Sequence, residues 1–136
     1  MIQPIAFNHK AHQDAAIECG YCHGQAASFD SAGIPRISDC ADCHAGIDNE
    51  GKEAAKLFAY LERKEEPPWQ ALFVVKKWNR FSHKAHIKKG VECAVCHAGI
   101  GSSVTPPARR VEYDMGWCMD CHREKRASND CLVCHK

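Results

Sequence analysis

The sequence predicts a small single domain of few short α-helices, mostly irregular, with little or no sheet. Three observations predict it. Ten of the 136 residues are cysteine, and every one falls in a C-x-x-C-H pattern. A short histidine-bearing segment recurs once, 74 residues further along. Only one stretch carries the apolar periodicity of an amphipathic helix, and the rest lacks the patterning of an ordinary packed core.

The five patterns run along the whole chain. They are Cys19-Gly20-Tyr21-Cys22-His23, Cys40-Ala41-Asp42-Cys43-His44, Cys93-Ala94-Val95-Cys96-His97, Cys118-Met119-Asp120-Cys121-His122 and Cys131-Leu132-Val133-Cys134-His135. C-x-x-C-H is the attachment motif of c-type haem. The two thiols form thioethers with the haem, and the adjacent histidine is held under the iron as its proximal ligand. A disulfide framework has no need of a histidine after each pair. Zinc sites use C-x-x-C pairs, but not five of them each followed at once by histidine. Redox C-x-x-C pairs are normally single. The expectation is therefore five covalently bound haem c groups held by Cys19, Cys22, Cys40, Cys43, Cys93, Cys96, Cys118, Cys121, Cys131 and Cys134. Their proximal iron ligands are His23, His44, His97, His122 and His135. Five haems in 136 residues leave about 27 residues for each, too few to build a side-chain core around every one. The fold expected is a haem-cored multihaem cytochrome with the polypeptide wrapped over its haems.

The elements follow in chain order. A first module, 1–47, opens on Phe7-Asn8-His9-Lys10-Ala11-His12 and carries two motifs. A helical linker, 48–66, has Ala54, Leu57, Phe58 and Leu61 at i, i+3, i+4 and i+7, an apolar stripe expected to pack in the interior, with Leu57 and Phe58 against a haem face. Asp48 or Asn49 is placed to cap it, Gly51 weakens its first turn, and Pro67-Pro68 is placed to stop it. Leu72 to Val75 reads as a short strand, and Gly99 to Pro107 as loop. The second module, 75–136, opens on Phe81-Ser82-His83-Lys84-Ala85-His86. From His9 to Cys19 and from His83 to Cys93 the spacing is the same ten residues, and a C-terminal fifth site follows the second pair of motifs.

Four histidines remain: His9, His12, His83 and His86. His-x-x-His sets two imidazoles on one side of a helical turn at diverging angles. They suit two neighbouring irons rather than one, and would staple adjacent haems together. Four such ligands cannot complete five irons, so at least one iron takes methionine, lysine, water or a residue from another chain. Met115, three residues before Cys118, is the internal candidate for the remaining position, and a His/Met iron would have a higher potential than bis-His neighbours.

Composition excludes several functions. Lys plus Arg is 18 and Asp plus Glu is 17, a formal net charge of +1 with no nucleic-acid signature. The longest apolar run, Ala71 to Val75, is far short of the roughly 20 residues of a membrane helix. Met1-Ile2-Gln3-Pro4 has neither the basic nor the apolar region of a signal peptide, so any export signal is expected to have been removed or to lie on a partner.

Phe7-x-His9-x-x-His12 before Cys19-x-x-Cys22-His23, repeated as Phe81 to His97, resembles the class III multihaem cytochromes, the cytochrome c3 and c7 group. The resemblance implies that His9 serves the Cys19/Cys22 haem and His83 the Cys93/Cys96 haem, while His12 and His86 reach other haems. Gln3-Pro4-Ile5-x-Phe7-x-His9, Pro67-Pro68-Trp69 and Met115-Gly116-Trp117-Cys118 are similar to the pentahaem subunit of alternative complex III and related quinone-reductase complexes. The chain departs from those subunits in having no anchor segment and in the closeness of its last two motifs. This likeness implies an electron carrier on the periplasmic side or outer face of the cytoplasmic membrane. Its redox protein partners would include a membrane quinol oxidoreductase complex. A free periplasmic shuttle or a subunit of an extracellular cytochrome filament is the alternative. An enzyme such as a multihaem reductase is less favoured, because all five motifs end in histidine and the lysine variant of such active sites is absent.

Overall fold

The computed structural model describes residues 2–46 and 50–135. Among them are eight helices, most of one or two turns. They are α1 (His9–Asp14), α2 (Cys19–Cys22), α3 (Ile37–His44), α4 (Lys52–Arg63), α5 (His83–Lys88), α6 (Cys93–Cys96), α7 (Met115–Glu124) and α8 (Cys131–Cys134). One residue pair on each side makes the sheet. β1 (Phe73–Val74) lies parallel to β2 (Val111–Glu112), with Phe73 opposite Val111. The few-helix, nearly sheet-free architecture expected from the sequence is the one observed.

Local chemistry sets the helix starts. Asn8 Oδ1 accepts the Ala11 N–H at 3.0 Å and Ser82 Oγ accepts that of Ala85 at 3.3 Å, so both His-x-x-His segments are capped alike. Asp114 caps α7 through the Trp117 N–H at 2.8 Å, and Asp130 caps α8 through that of Leu132 at 2.8 Å. The C-x-x-C segments are each a single helical turn in α2, α6 and α8 and are extended in α3 and α7.

The interlude helix α4 departs from expectation in three respects. Its N-cap position is Gly51, with φ +113, and has no side-chain cap; Asp48 and Asn49 lie outside the described residues. It ends at Lys64, whose left-handed φ of +55 turns the backbone before the prolines are reached. Pro67-Pro68 therefore follows the stop rather than making it. Leu57 is buried against Ile5 and Ile37, with Tyr60, Leu61 and Trp69 packed around them, while Phe58 stays 38% exposed. The loop expected over Gly99 to Pro107 begins with a 3₁₀ turn, Ile100–Ser102. The strand expected over Leu72 to Val75 is present but shorter.

The two halves clasp each other. The α1 helix packs on the 3₁₀ turn Ile100–Ser102, and α5 packs on the 3₁₀ turn Gly24–Ala27. The Lys10 N–H donates to Ser103 O at 3.0 Å and the Lys84 N–H to Phe29 O at 3.1 Å. Donors and acceptors both obey the 74-residue offset, so the repeat is structural as well as sequential.

Ile5, Ile37, Leu57 and Pro67 are the buried apolar residues among those described. The polypeptide exposes 10014 Å², whereas a folded chain of its mass exposes about 7,100 Å². So large a surface leaves little side-chain interior.

Candidate haem sites

Each distal candidate has a positioned ring. Phe7 stacks on His12 at 4.5 Å with 22° between planes and meets His9 edge-on at 4.7 Å. Phe81 repeats this with His86 at 4.7 Å and 25°, and with His83 at 4.9 Å and 88°. One phenyl ring thus braces two imidazoles at divergent angles in each module. Neither phenylalanine was assigned a role from sequence. The available signal was their recurrence two residues before each histidine pair.

Hydrogen bonds fix which nitrogen is free. Nδ1 of His12 lies 2.8 Å from Asn8 O, of His23 2.9 Å from Gly33 O, and of His83 2.8 Å from Asp30 O. Nδ1 of His86 lies 2.7 Å from Ser82 O, and of His122 2.6 Å from Ser128 O. A carbonyl oxygen can only accept, so Nδ1–H donates in all five. Nε2 keeps its lone pair, the state a metal ligand requires. Burial above all, then the neighbouring His23, holds the His9 pKa below its ordinary value. Burial, then His83, does the same for His97.

The histidines come together in pairs. Ring centroids of His12 and His44 lie 6.0 Å apart, of His83 and His97 6.3 Å, and of His86 and His122 6.1 Å. A metal–nitrogen bond of about 2 Å sets a ring centroid about 3 Å from the metal, so rings on opposite sides of one ion stand about 6 Å apart. The three pairs match that spacing, and His9 neighbours His23. The donor set therefore fits axial coordination of haem iron. No disulfide joins the ten cysteines. Among the described residues no three or more His, Cys, Asp or Glu side chains converge as zinc ligands would.

The motifs lie in a series that differs from chain order. Burial, then Cys43, raises the Cys22 thiol pKa; burial, then Cys19, raises that of Cys93. Burial, then Cys121 and Cys118, raises that of Cys96, and burial, then Cys134, that of Cys118. The neighbours are thus the second and first motifs, first and third, third and fourth, fourth and fifth. Backbone contacts agree. The His83 N–H donates to Asp30 O at 3.1 Å, tying the third site to the first, and the Tyr113 hydroxyl donates to Cys96 O. Tyr113 in turn packs 4.6 Å from Trp117, beside Cys118.

Among the described residues no histidine ring pairs with His135. It lines a cavity of about 350 Å³ together with Met115, Asn79, Tyr113, Trp78 and Lys76. Met115 is 61% exposed and opens α7 at the cavity wall. The structure thus brings Met115 to the fifth site and sets it at the head of the helix bearing the fourth.

No curated protein matches the chain. Two family descriptions do, and together they cover most of it. "Cytochrome c7 and related cytochrome c" matches residues 79–136, and "Class III cytochrome C family" matches residues 1–71, over half of the length. The chain belongs to the class III cytochrome c family, whose members are multihaem electron carriers with covalently attached haem c.

Proposed function

We propose that the chain is a periplasmic relay with five haems c, receiving electrons from a quinol-oxidising membrane complex and delivering them to a redox protein. The observation that carries the haem assignment is the set of three imidazole pairs at 6.0 to 6.3 Å. When bound, each haem supplies one-electron exchange between ferric and ferrous iron. The chain supplies attachment, axial ligands, spacing and exclusion of water. In this reading His9 with His23, His12 with His44, His83 with His97 and His86 with His122 close four irons to substrate. His135 with Met115 holds the fifth. The α1 and α5 helices each carry ligands for two neighbouring sites, so each helix fixes a spacing between haems as well as a coordination. The second and fifth motifs are the two ends of the series, which makes them the places for electron entry and exit. The likeness to pentahaem quinone-reductase subunits in Gln3-Pro4-Ile5, Pro67-Pro68-Trp69 and Met115-Gly116-Trp117-Cys118 supports the quinol-complex partner and the periplasmic setting.

Intact mass of the denatured protein tests the haem count. It should exceed the polypeptide mass by five haems, and a smaller excess would overturn the reading. Purification from native membranes tests the partner: a quinol-oxidising complex should accompany the protein.

A further inference from the structure

The fifth site pairs an acceptor without a donor and a donor without an acceptor. Five of the candidate iron ligands donate Nδ1–H to a backbone carbonyl, as described above. His135 makes no such hydrogen bond among the described residues, although it is the proximal histidine of its motif. Across from it stands Asn79, whose Oδ1 is buried and has no hydrogen-bond partner among the described residues. A buried amide oxygen left unpaired is costly, and such a group in a native fold has a reason.

The backbone brings the two residues to the same place. Asn79 and His135 form an antiparallel bridge, with the Arg80 N–H donating to Cys134 O at 2.6 Å beside it. That bond flanks the pair rather than joining it, so Asn79 and His135 are a narrow, non-hydrogen-bonded pair. Side chains directly opposite in such a pair leave the same face with their Cβ atoms about 4.5–5.5 Å apart. Both side chains line the cavity that Met115 also lines.

We propose that Asn79 is the positioning residue of His135. A turn of the two facing side chains would let its Oδ1 accept the His135 Nδ1–H, a bond this structure does not form, and so fix the tautomer with Nε2 toward the fifth iron. A side-chain amide here would then do what Gly33 O does for His23 and Ser128 O for His122. The assignment rests on the five-haem reading. It has an electronic consequence beyond support: an acceptor on Nδ1–H makes the imidazole more basic, and a more basic ligand favours ferric iron.

The test is a redox titration of the purified, matured protein and its Asn79→Leu and Asn79→Asp variants, with intact mass measured on all three. Asn79→Leu removes the acceptor, so one centre should move to higher potential while the other four stay. Asn79→Asp supplies a stronger, charged acceptor, so the same centre should move lower. Opposite shifts confined to one centre support the assignment. Five haems with all potentials unmoved in both variants would mean that Asn79 only packs, whatever happens to melting temperature. Should Asn79→Leu fail to mature, the downward shift in Asn79→Asp, or its absence, decides alone. An unmodified protein with fewer than five haems would instead overturn the five-haem reading itself.

Discussion

At the residue scale, what was legible in the sequence was covalent and what was not was supplied from a distance. C-x-x-C-H is local because thioethers and the proximal ligand must meet one porphyrin, so ten cysteines and five histidines declare themselves. The distal histidines declared themselves by repetition. The carbonyls that set their tautomers did not, since Asp30 serves His83 across 53 positions and no side-chain type marks a backbone acceptor. Met115 lay between these cases. Counting left one iron without a distal histidine from this chain, but only the fold puts Met115 in one cavity with His135. A thioether stabilises ferrous iron relative to a second imidazole, so the fifth centre should have the highest potential of the five. Replacing Met115 by Leu should lower that one centre and abolish the methionine-to-iron charge-transfer band at the red end of the oxidised spectrum. Its persistence in the variant would show that the sulfur lies elsewhere.

At the element scale, the helices are short because their work is to hold ligands rather than to pack on one another. The amphipathic stripe of α4 was readable from its 3.6-residue period, but its boundaries were not. A left-handed Lys64 and a glycine cap set them, and neither residue type announces its conformation. The stripe also could not say what it packs on: Leu57 turned to Ile5 and Ile37. A carboxylate ties this helix to the segment leading into α1. Glu53 accepts the Ala6 N–H at 2.7 Å and the Lys56 ammonium at 2.8 Å. These hydrogen bonds, Lys56 first and then Ala6, hold its pKa below the ordinary value. A carboxylate with a depressed folded pKa contributes stability that is present above its unfolded pKa and lost as pH falls through the folded one. The gap in melting temperature between the parent protein and Glu53→Gln should therefore be widest near neutrality and close in acid below pH 4. A gap that stays constant from pH 7 to pH 3 would show that the Ala6 contact is irrelevant to stability. The gap is expected to be small, since the carboxylate is only partly buried and its charge is screened by solvent.

At the scale of the whole molecule, sequence length and motif count already implied that side chains could not form the interior, and the structure bears this out in area. Four apolar residues are buried among those described, Pro67 with Ile5, Ile37 and Leu57, while the polypeptide exposes 10014 Å². Fixing each residue's backbone costs about 1–2 kcal/mol, and burial is the main term that offsets it. With so little side-chain burial, the apolar surface that stabilises this fold has to be the surface that haem covers. The clasp of α1 and α5 does not alter that conclusion, because its hydrogen bonds exchange with water at little net gain. Folding is then coupled to haem attachment, much as small metal-binding domains fold only on taking up their ion. The chain produced without haem maturation should give a far-UV circular dichroism spectrum with little helix, narrow amide dispersion by NMR and no cooperative melt. The matured protein should show helix at α3, α4 and α7 and a cooperative transition. A dispersed spectrum with cooperative unfolding in the haem-free chain would overturn the argument, because it would require an interior of side chains that the four buried residues do not provide.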